Sequence, residues 1–186
     1  MKTHIVAVID CSGSMASIAN EASSGFNEFV KQQRELPGTA DLTLIEFDNN
    51  VQKLYERLPL ISVPTYHLRP RGMTALMDAI GDAIHTAQSR TSLETYDQVV
   101  VTIVTDGAEN SSKRFSKVQI NQMITDRQAA GWSFVFLAAN QDAFATAKQY
   151  GIREEYVANF AANRAGTQAA YATMSAAVSQ VRGTTY

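Results

Sequence analysis

Three stretches of the chain are almost continuously apolar and rich in β-branched or aromatic residues, namely 5–9, 99–104 and 134–139. Because polar and apolar residues do not alternate in them, each is typical of a parallel strand buried on both faces. Two further strands are predicted at 42–47 and 51–58. The Asp-Asn-Asn turn between them implies that the second returns antiparallel. Its mixed polarity favours an edge of the sheet.

Between these strands, apolar residues recur three or four positions apart, which indicates helices with one buried face. The clearest series is Met77, Ile80, Ile84 and Ala87. Further elements are predicted as a helix capped by Ser14 and ending near Leu36, a helix from the Ser116 capping box to Gly131, a short helix at 142–150, a short strand at 156–160 and a closing helix through 171–181. Alternating strands and helices predict an α/β fold with a doubly wound, mostly parallel sheet and helices on both faces.

Length and composition fit one domain over residues 1–186, because 45% of the residues are hydrophobic and can fill a continuous core. The net charge of -2 and the lack of a basic run argue against nucleic acid or an acidic membrane as partner. The one cysteine, Cys11, fits a reducing compartment and is expected to be buried. The first apolar stretch is too short for a signal peptide, and no stretch is long enough to span a membrane. We therefore expect a soluble, cytoplasmic protein.

Oxygen-bearing side chains follow the ends of two predicted strands and precede one predicted helix. Asp10, Ser12 and Ser14 follow the first strand, Thr74 precedes the Met77 helix, and Asp106 follows the strand at 99–104. Ligands collect at the carboxyl ends of strands in open α/β sheets, so these groups are expected to meet. Carboxylates and hydroxyls suit Mg²⁺, whereas the set lacks the Cys and His ligands typical of zinc. The sequence therefore predicts a magnesium site.

This pattern resembles the metal-ion-dependent adhesion site (MIDAS) of von Willebrand factor A-type domains. The resemblance consists of the Asp-x-Ser-x-Ser sequence at 10–14, the Thr that follows Gly72 and the Asp-Gly pair at 106–107. Met73 stands where many members have a second Gly. The predicted order of elements also agrees with that family over nearly the whole chain. The likeness, to compact bacterial or phage members with a single domain, implies a three-layer Rossmann-like fold with one antiparallel edge strand.

Carried over to this chain, the resemblance implies that Ser12, Ser14 and Thr74 bind the ion through their hydroxyls, and that Asp10 and Asp106 bind it directly or through water. Mg²⁺ is the expected ion, with Mn²⁺ and Ca²⁺ as alternatives. In this family the ion keeps a position for an Asp or Glu of a partner protein. The implied function is metal-dependent protein binding without catalysis, and an AAA-type ATPase system is one candidate partner.

Two other functions stay open at this point. A Mg²⁺-dependent phosphohydrolase would use Asp10 as its nucleophile, but it needs a second carboxylate two positions later. Ser12 stands there, and a serine cannot transfer that proton at neutral pH. A structural module without metal is the other alternative. A P-loop nucleotide site is excluded, because the sequence contains no G-x-x-x-x-G-K-[ST] motif.

Four charged residues near the predicted site have two interpretations each. Asp78 lies one helical turn after Thr74, so it either supports the site or is a first-turn acid favoured by the helix dipole. Glu109 either tunes the choice of partner or is, as we expect, a solvated loop acid. Arg69 and Arg71 are candidates to meet an acidic partner, although solvated loop arginines are the default.

Overall fold

A six-stranded sheet forms the centre of the protein in a computed structural model, which describes residues 1–89 and 95–183. The strands are β1 (Lys2–Asp10), β2 (Thr39–Phe47), β3 (Val51–Pro59), β4 (Gln98–Thr105), β5 (Ser133–Ala138) and β6 (Val157–Asn159). Their order is β3-β2-β1-β4-β5-β6, with β3 antiparallel to β2 and the other neighbours parallel. The predicted α/β class, with one antiparallel edge strand, is confirmed.

Helices cover both faces of this sheet and complete three layers. They are α1 (Ala19–Glu35), α2 (Leu76–Gln88), α3 (Lys117–Ala129), α4 (Ala143–Gln149) and α5 (Arg164–Val181). One core joins α1 and α5 to the side of β1 that carries Ile5 and Ile9, and the other joins α2, α3 and α4 to the side that carries Val6 and Val8. This double burial explains why β1 is apolar at every position from Ile5 to Ile9. In the part of the chain described, no helix is both long and apolar enough to cross a membrane.

One local prediction about the helices is wrong. Ser14 does not cap α1, because a 3-10 helix (Gly13–Ile18) precedes it and the Ser14 hydroxyl donates a hydrogen bond to Asp106 instead. The apolar face predicted for α2 is confirmed at Ile80, Ile84 and Ala87, whereas Met77 is only partly buried and the neighbouring Leu76 is fully buried. Small residues, Ala79 and Ala83, form part of that face and let the helix pack closely on the sheet. The capping box at Ser116, in contrast, is confirmed.

The contact between α1 and α5 provides a test of the packing. A β-carbon at Gly25 would lie 2.7 Å from Cγ of the buried Tyr171 ring, which is too close for two carbon atoms. We expect Gly25→Ala to lower the free energy of unfolding by about 1–3 kcal/mol, because overpacking outweighs the gain in helix propensity. Urea denaturation measures this. Ser24→Ala, at the adjacent exposed position, is the control and should change stability by less than about 0.5 kcal/mol.

Candidate metal site

The register of the two central strands brings the two predicted carboxylates together. Ile9 of β1 lies beside Val104 of β4, so Asp10 ends β1 at the level where β4 also ends. Asp106 follows one residue later. Both therefore lie at the carboxyl edge in the middle of the sheet, which is where open α/β sheets bind ligands.

Hydrogen bonds join the residues of the first loop to Asp106. The Ser14 hydroxyl donates to Asp106 Oδ1 at 2.6 Å, and the Oγ atoms of Ser12 and Ser14 are 3.1 Å apart. The backbone N–H of Ser12 donates to Asp10 Oδ1 at 2.7 Å, which folds the loop back over the end of the strand. Four of the five predicted ligands thus form one continuous cluster.

Thr74 is brought to the same cluster by backbone contacts between loops. The N–H of Gly13 donates to the carbonyl of Gly72 at 3.0 Å. The backbone of Thr74 exchanges two bonds with Asn110, donating to Oδ1 at 2.9 Å and accepting from the N–H at 3.0 Å. Only one residue of this turn requires glycine, because Gly72 has a φ of 66°. Met73 therefore fits without a second glycine.

A gap beside Gly107 lies between the hydroxyls of two different loops. A β-carbon at this position would be 3.6 Å from Thr74 Oγ1 and 3.8 Å from Ser14 Oγ. Both oxygens thus border the space that a side chain would fill. Ser14 is exposed whereas Thr74 is buried, so the cluster opens to the surface on the Ser14 side. The structure brings all five predicted residues together.

The two carboxylates are buried without a cationic partner. Asp10 is 0% and Asp106 is 2% exposed, and neither forms an ion pair with any residue in 1–89 or 95–183. Burial raises the pKa of Asp10 to about 6, although hydrogen bonds from Ser12 and Thr105 oppose the shift. Burial likewise raises the pKa of Asp106. Buried carboxylates need a compensating charge, so the cluster is electrostatically suited to a cation.

Several supporting residues were not predicted from the sequence. The Thr105 hydroxyl donates to Asp10 Oδ2 at 2.6 Å and fixes its orientation. The side-chain amides of Asn140 and Gln141 donate to the carbonyls of Asp106 and Gly107 at 3.0 and 2.9 Å. All three lie at carboxyl ends of strands, as the predicted ligands do, and this position was the available signal.

Glu109 is not a solvated acid, which corrects the expectation from the sequence. Its Oε1 accepts from the backbone of Ser111 and Ser112, and its Oε2 accepts from the N–H of Met77 at 2.8 Å. Glu109 therefore joins the loop after Asp106 to the first turn of α2. These hydrogen bonds hold the loop and the start of α2 in a fixed position relative to each other.

Asp78 supports the same loop from inside the protein. This first-turn acid of α2 is 5% exposed, and it accepts backbone bonds from Lys113, Arg114 and Phe115 at 2.9–3.0 Å. Burial alone would raise its pKa, but these bonds and the Arg114 guanidinium outweigh it and hold the pKa below the ordinary value. Both interpretations of Asp78 therefore apply.

Cys11 is buried within this site, as expected. Its thiol donates to the carbonyl of Phe47 at 3.1 Å, and burial raises its pKa to about 12. The thiolate is therefore suppressed at neutral pH, and Cys11 packs as a small apolar side chain.

Solved structures with the same fold include three from different organisms. The von Willebrand factor domain of the type V pilus tip protein Mfa5 from Porphyromonas gingivalis has a TM-score of 0.70 at 13% identity, over 99% of this chain and 96% of that one. Proximal thread matrix protein 1 from the mussel byssus, with a zinc-occupied MIDAS motif, has a TM-score of 0.66 at 16% identity, over 93% and 44%. The manganese-loaded TRAP protein of Plasmodium vivax has a TM-score of 0.64 at 15% identity, over 91% and 71%.

These similarities show that the chain has the fold of a von Willebrand factor A-type domain, which confirms the resemblance inferred from the sequence. The chain spans less than half the length of the byssus protein, although it spans almost all of the Mfa5 domain. No protein-family model and no curated protein sequence matches it. At identities of 12–17% the likeness concerns the fold, and the function has to be argued from the site.

Proposed function

We propose that this chain is a protein-interaction module that depends on a divalent metal ion, with Mg²⁺ as the ion. Ser12, Ser14 and Thr74 would hold it through their hydroxyls, and Asp10 and Asp106 directly or through water. When bound, the ion supplies an electrophilic centre for an Asp or Glu carboxylate of a partner protein. The observation that carries this proposal is the meeting of two buried, cation-free carboxylates with three hydroxyls.

The chemistry of the donors fits such an ion. All five side chains offer hard oxygen atoms, and two carboxylates balance a divalent charge while the hydroxyls add none. The exposed positions of Ser14 and Met73 leave the cluster open to a partner. The zinc-occupied and manganese-loaded structures with the same fold support a divalent ion as the ligand, and the choice of Mg²⁺ rests on the donor set.

The structure disfavours the phosphohydrolase alternative at the atoms that would react. A nucleophilic Asp10 would need a free oxygen facing substrate, but Asp10 is 0% exposed. Its Oδ1 accepts from Ser12 and its Oδ2 from Thr105. Ser12 also occupies the position of the required acid. We therefore propose no catalytic role, and Mg²⁺-dependent phosphatase turnover abolished by Asp10→Asn would contradict this.

A displayed random-peptide library tests the binding function directly. The chain is immobilised and peptides are selected in Mg²⁺, with EDTA washes as the comparison. We expect peptides that share one Asp or Glu and elute in EDTA. Ser14→Ala should lower the affinity for these peptides at least about 10-fold, because the loss of one ligand weakens binding of the ion. Ser17→Ala, an exposed serine in the same 3-10 helix, is the matched control.

The outcomes separate the competing functions. Selection of the same peptides in Mg²⁺ and EDTA would contradict a metal bridge and favour a structural module. Equal losses with Ser14→Ala and Ser17→Ala would place binding elsewhere on the surface. We further propose a cytoplasmic location, on the basis of the short first apolar stretch and the single cysteine. The sequence resemblance makes an AAA-type ATPase system the partner to be tested first.

A further inference from the structure

A cleft of about 440 Å³ lies beside the candidate metal site. Its lining comes from the edge strand β3, from the loop between β3 and α2, and from Glu46 of β2. The same loop touches the site, because the N–H of Arg71 donates to the carbonyl of Cys11 at 2.6 Å, between two predicted ligands. Gly72 and Thr74 follow directly. The cleft and the metal site therefore share the segment 69–74.

The cleft combines an apolar lining with an uncompensated cation. Leu54, Tyr55 and Pro64 supply the apolar part, and Leu54 is 40% exposed although it is a large aliphatic residue. Arg69 and His67 are both exposed at the same cleft. Within 1–89 and 95–183, the guanidinium of Arg69 forms neither an ion pair nor a hydrogen bond. Arg69 is thus available to an anionic group.

The acid that lines the cleft does not pair with Arg69. Glu46 is 5% exposed, and both of its oxygens are occupied. Its Oε1 accepts from the Tyr66 hydroxyl at 2.7 Å, and its Oε2 pairs with Arg71 at 3.3 Å. Arg71 also pairs with Asp48 at 2.9 Å, so its one guanidinium serves two buried carboxylates. Arg69 is therefore the arginine of the lining that has no ion-pair partner among residues 1–89 and 95–183.

We propose that this cleft binds a second acidic residue of the partner segment, paired with Arg69, while an apolar neighbour of that residue packs against Leu54 and Tyr55. The inference rests on the proposed function and adds a partner class: a protein segment with two acidic residues, one for the metal ion and one for the cleft. The exposed Leu54 next to an unpaired arginine matches an acidic residue with an apolar neighbour. An apolar segment alone would leave Arg69 unpaired.

Synthetic peptides taken from the Mg²⁺ selection test this proposal. We expect them to contain a second Asp or Glu at a fixed distance from the first, with an apolar residue beside it. Arg69→Glu should weaken binding of such a peptide about 5- to 10-fold at low ionic strength, and Arg69→Gln about 2- to 5-fold, because the lost pair lies at the rim of the site. Changing the second acid to Lys should weaken binding to the wild type and restore it to Arg69→Glu.

Arg153→Glu is the matched control, since Arg153 is exposed and lies before β6, at the opposite end of the sheet. If it weakens the peptide as much as Arg69→Glu does, bulk charge explains the effect and the proposal is wrong. If metal-dependent peptides bind Arg69→Glu as tightly as the wild type, the cleft proposal fails while the metal bridge stands. If no peptide depends on metal, both fail. Equal thermal unfolding of the apo variants excludes misfolding as the cause.

Discussion

Asp106→Asn is expected to be at least as stable as the wild type without Mg²⁺ and less stable than the wild type with it. In chelator the variant should be as stable as the wild type or about 1 kcal/mol more stable, because a buried carboxylate without a cation is costly and Asn keeps an acceptor for Ser14. In Mg²⁺ at 100 times its dissociation constant, the wild type should gain about 2.7 kcal/mol, or about 5–10 °C in unfolding temperature. The variant should gain almost nothing.

The measurement is a thermal melt of each protein across a Mg²⁺ or Mn²⁺ titration that starts in EDTA. Asp126→Asn removes an exposed carboxylate from α3 and is the control that should follow the wild type at every concentration. If the metal ion raises the unfolding temperature of all three proteins equally, it binds elsewhere. A variant that is much less stable in EDTA would instead show that Asp106 serves the fold and does not bear an uncompensated charge for a ligand.

This expected reversal follows from features that the sequence already contained. The end of each central strand is marked by an Asp, and parallel neighbours in a sheet end together, so Asp10 and Asp106 could be paired without coordinates. The helix cap assigned to Ser14 was wrong for a related reason. A capping serine and a ligand-cluster serine look the same in sequence, and the contact with Asp106 spans 92 residues.

The loop between Asp106 and α3 was the least predictable part of the site. It has no apolar periodicity, and its conformation depends on Asp78, which lies on α2, and on Glu109, which was expected to be solvated. Glu109 joins it to the N–H of Met77, 32 residues away, and Asp78 accepts bonds from residues 35–37 positions away. Pairings of this length leave no local signal in one sequence. Only the three-dimensional structure shows that these two acids stabilise the loop.

Asp78→Asn is accordingly expected to cause the largest loss of stability among the substitutions considered. An Asn can accept at one end only, so its amide group would face at least one of the backbone N–H groups of Lys113, Arg114 and Phe115. A buried donor without an acceptor costs about 1–3 kcal/mol, and a charge-assisted bond is lost as well. We expect a loss of about 2–4 kcal/mol in urea denaturation, or about 5–15 °C in unfolding temperature.

The control for Asp78→Asn lies one turn further along α2. Asp82 makes two bonds of 2.7 Å to Arg114, but at the surface, so Asp82→Asn should cost less than about 1 kcal/mol.

The pH dependence of stability adds a second test of Asp78. Because the pKa of folded Asp78 lies below its ordinary value, its contribution is fully present above that ordinary value and is lost as the pH falls through the folded pKa. The stability gap between wild type and Asp78→Asn should therefore be constant from pH 7 to 5 and narrow below about pH 4. A gap that widens in acid, or equal losses for the two variants, would contradict a structural carboxylate at position 78.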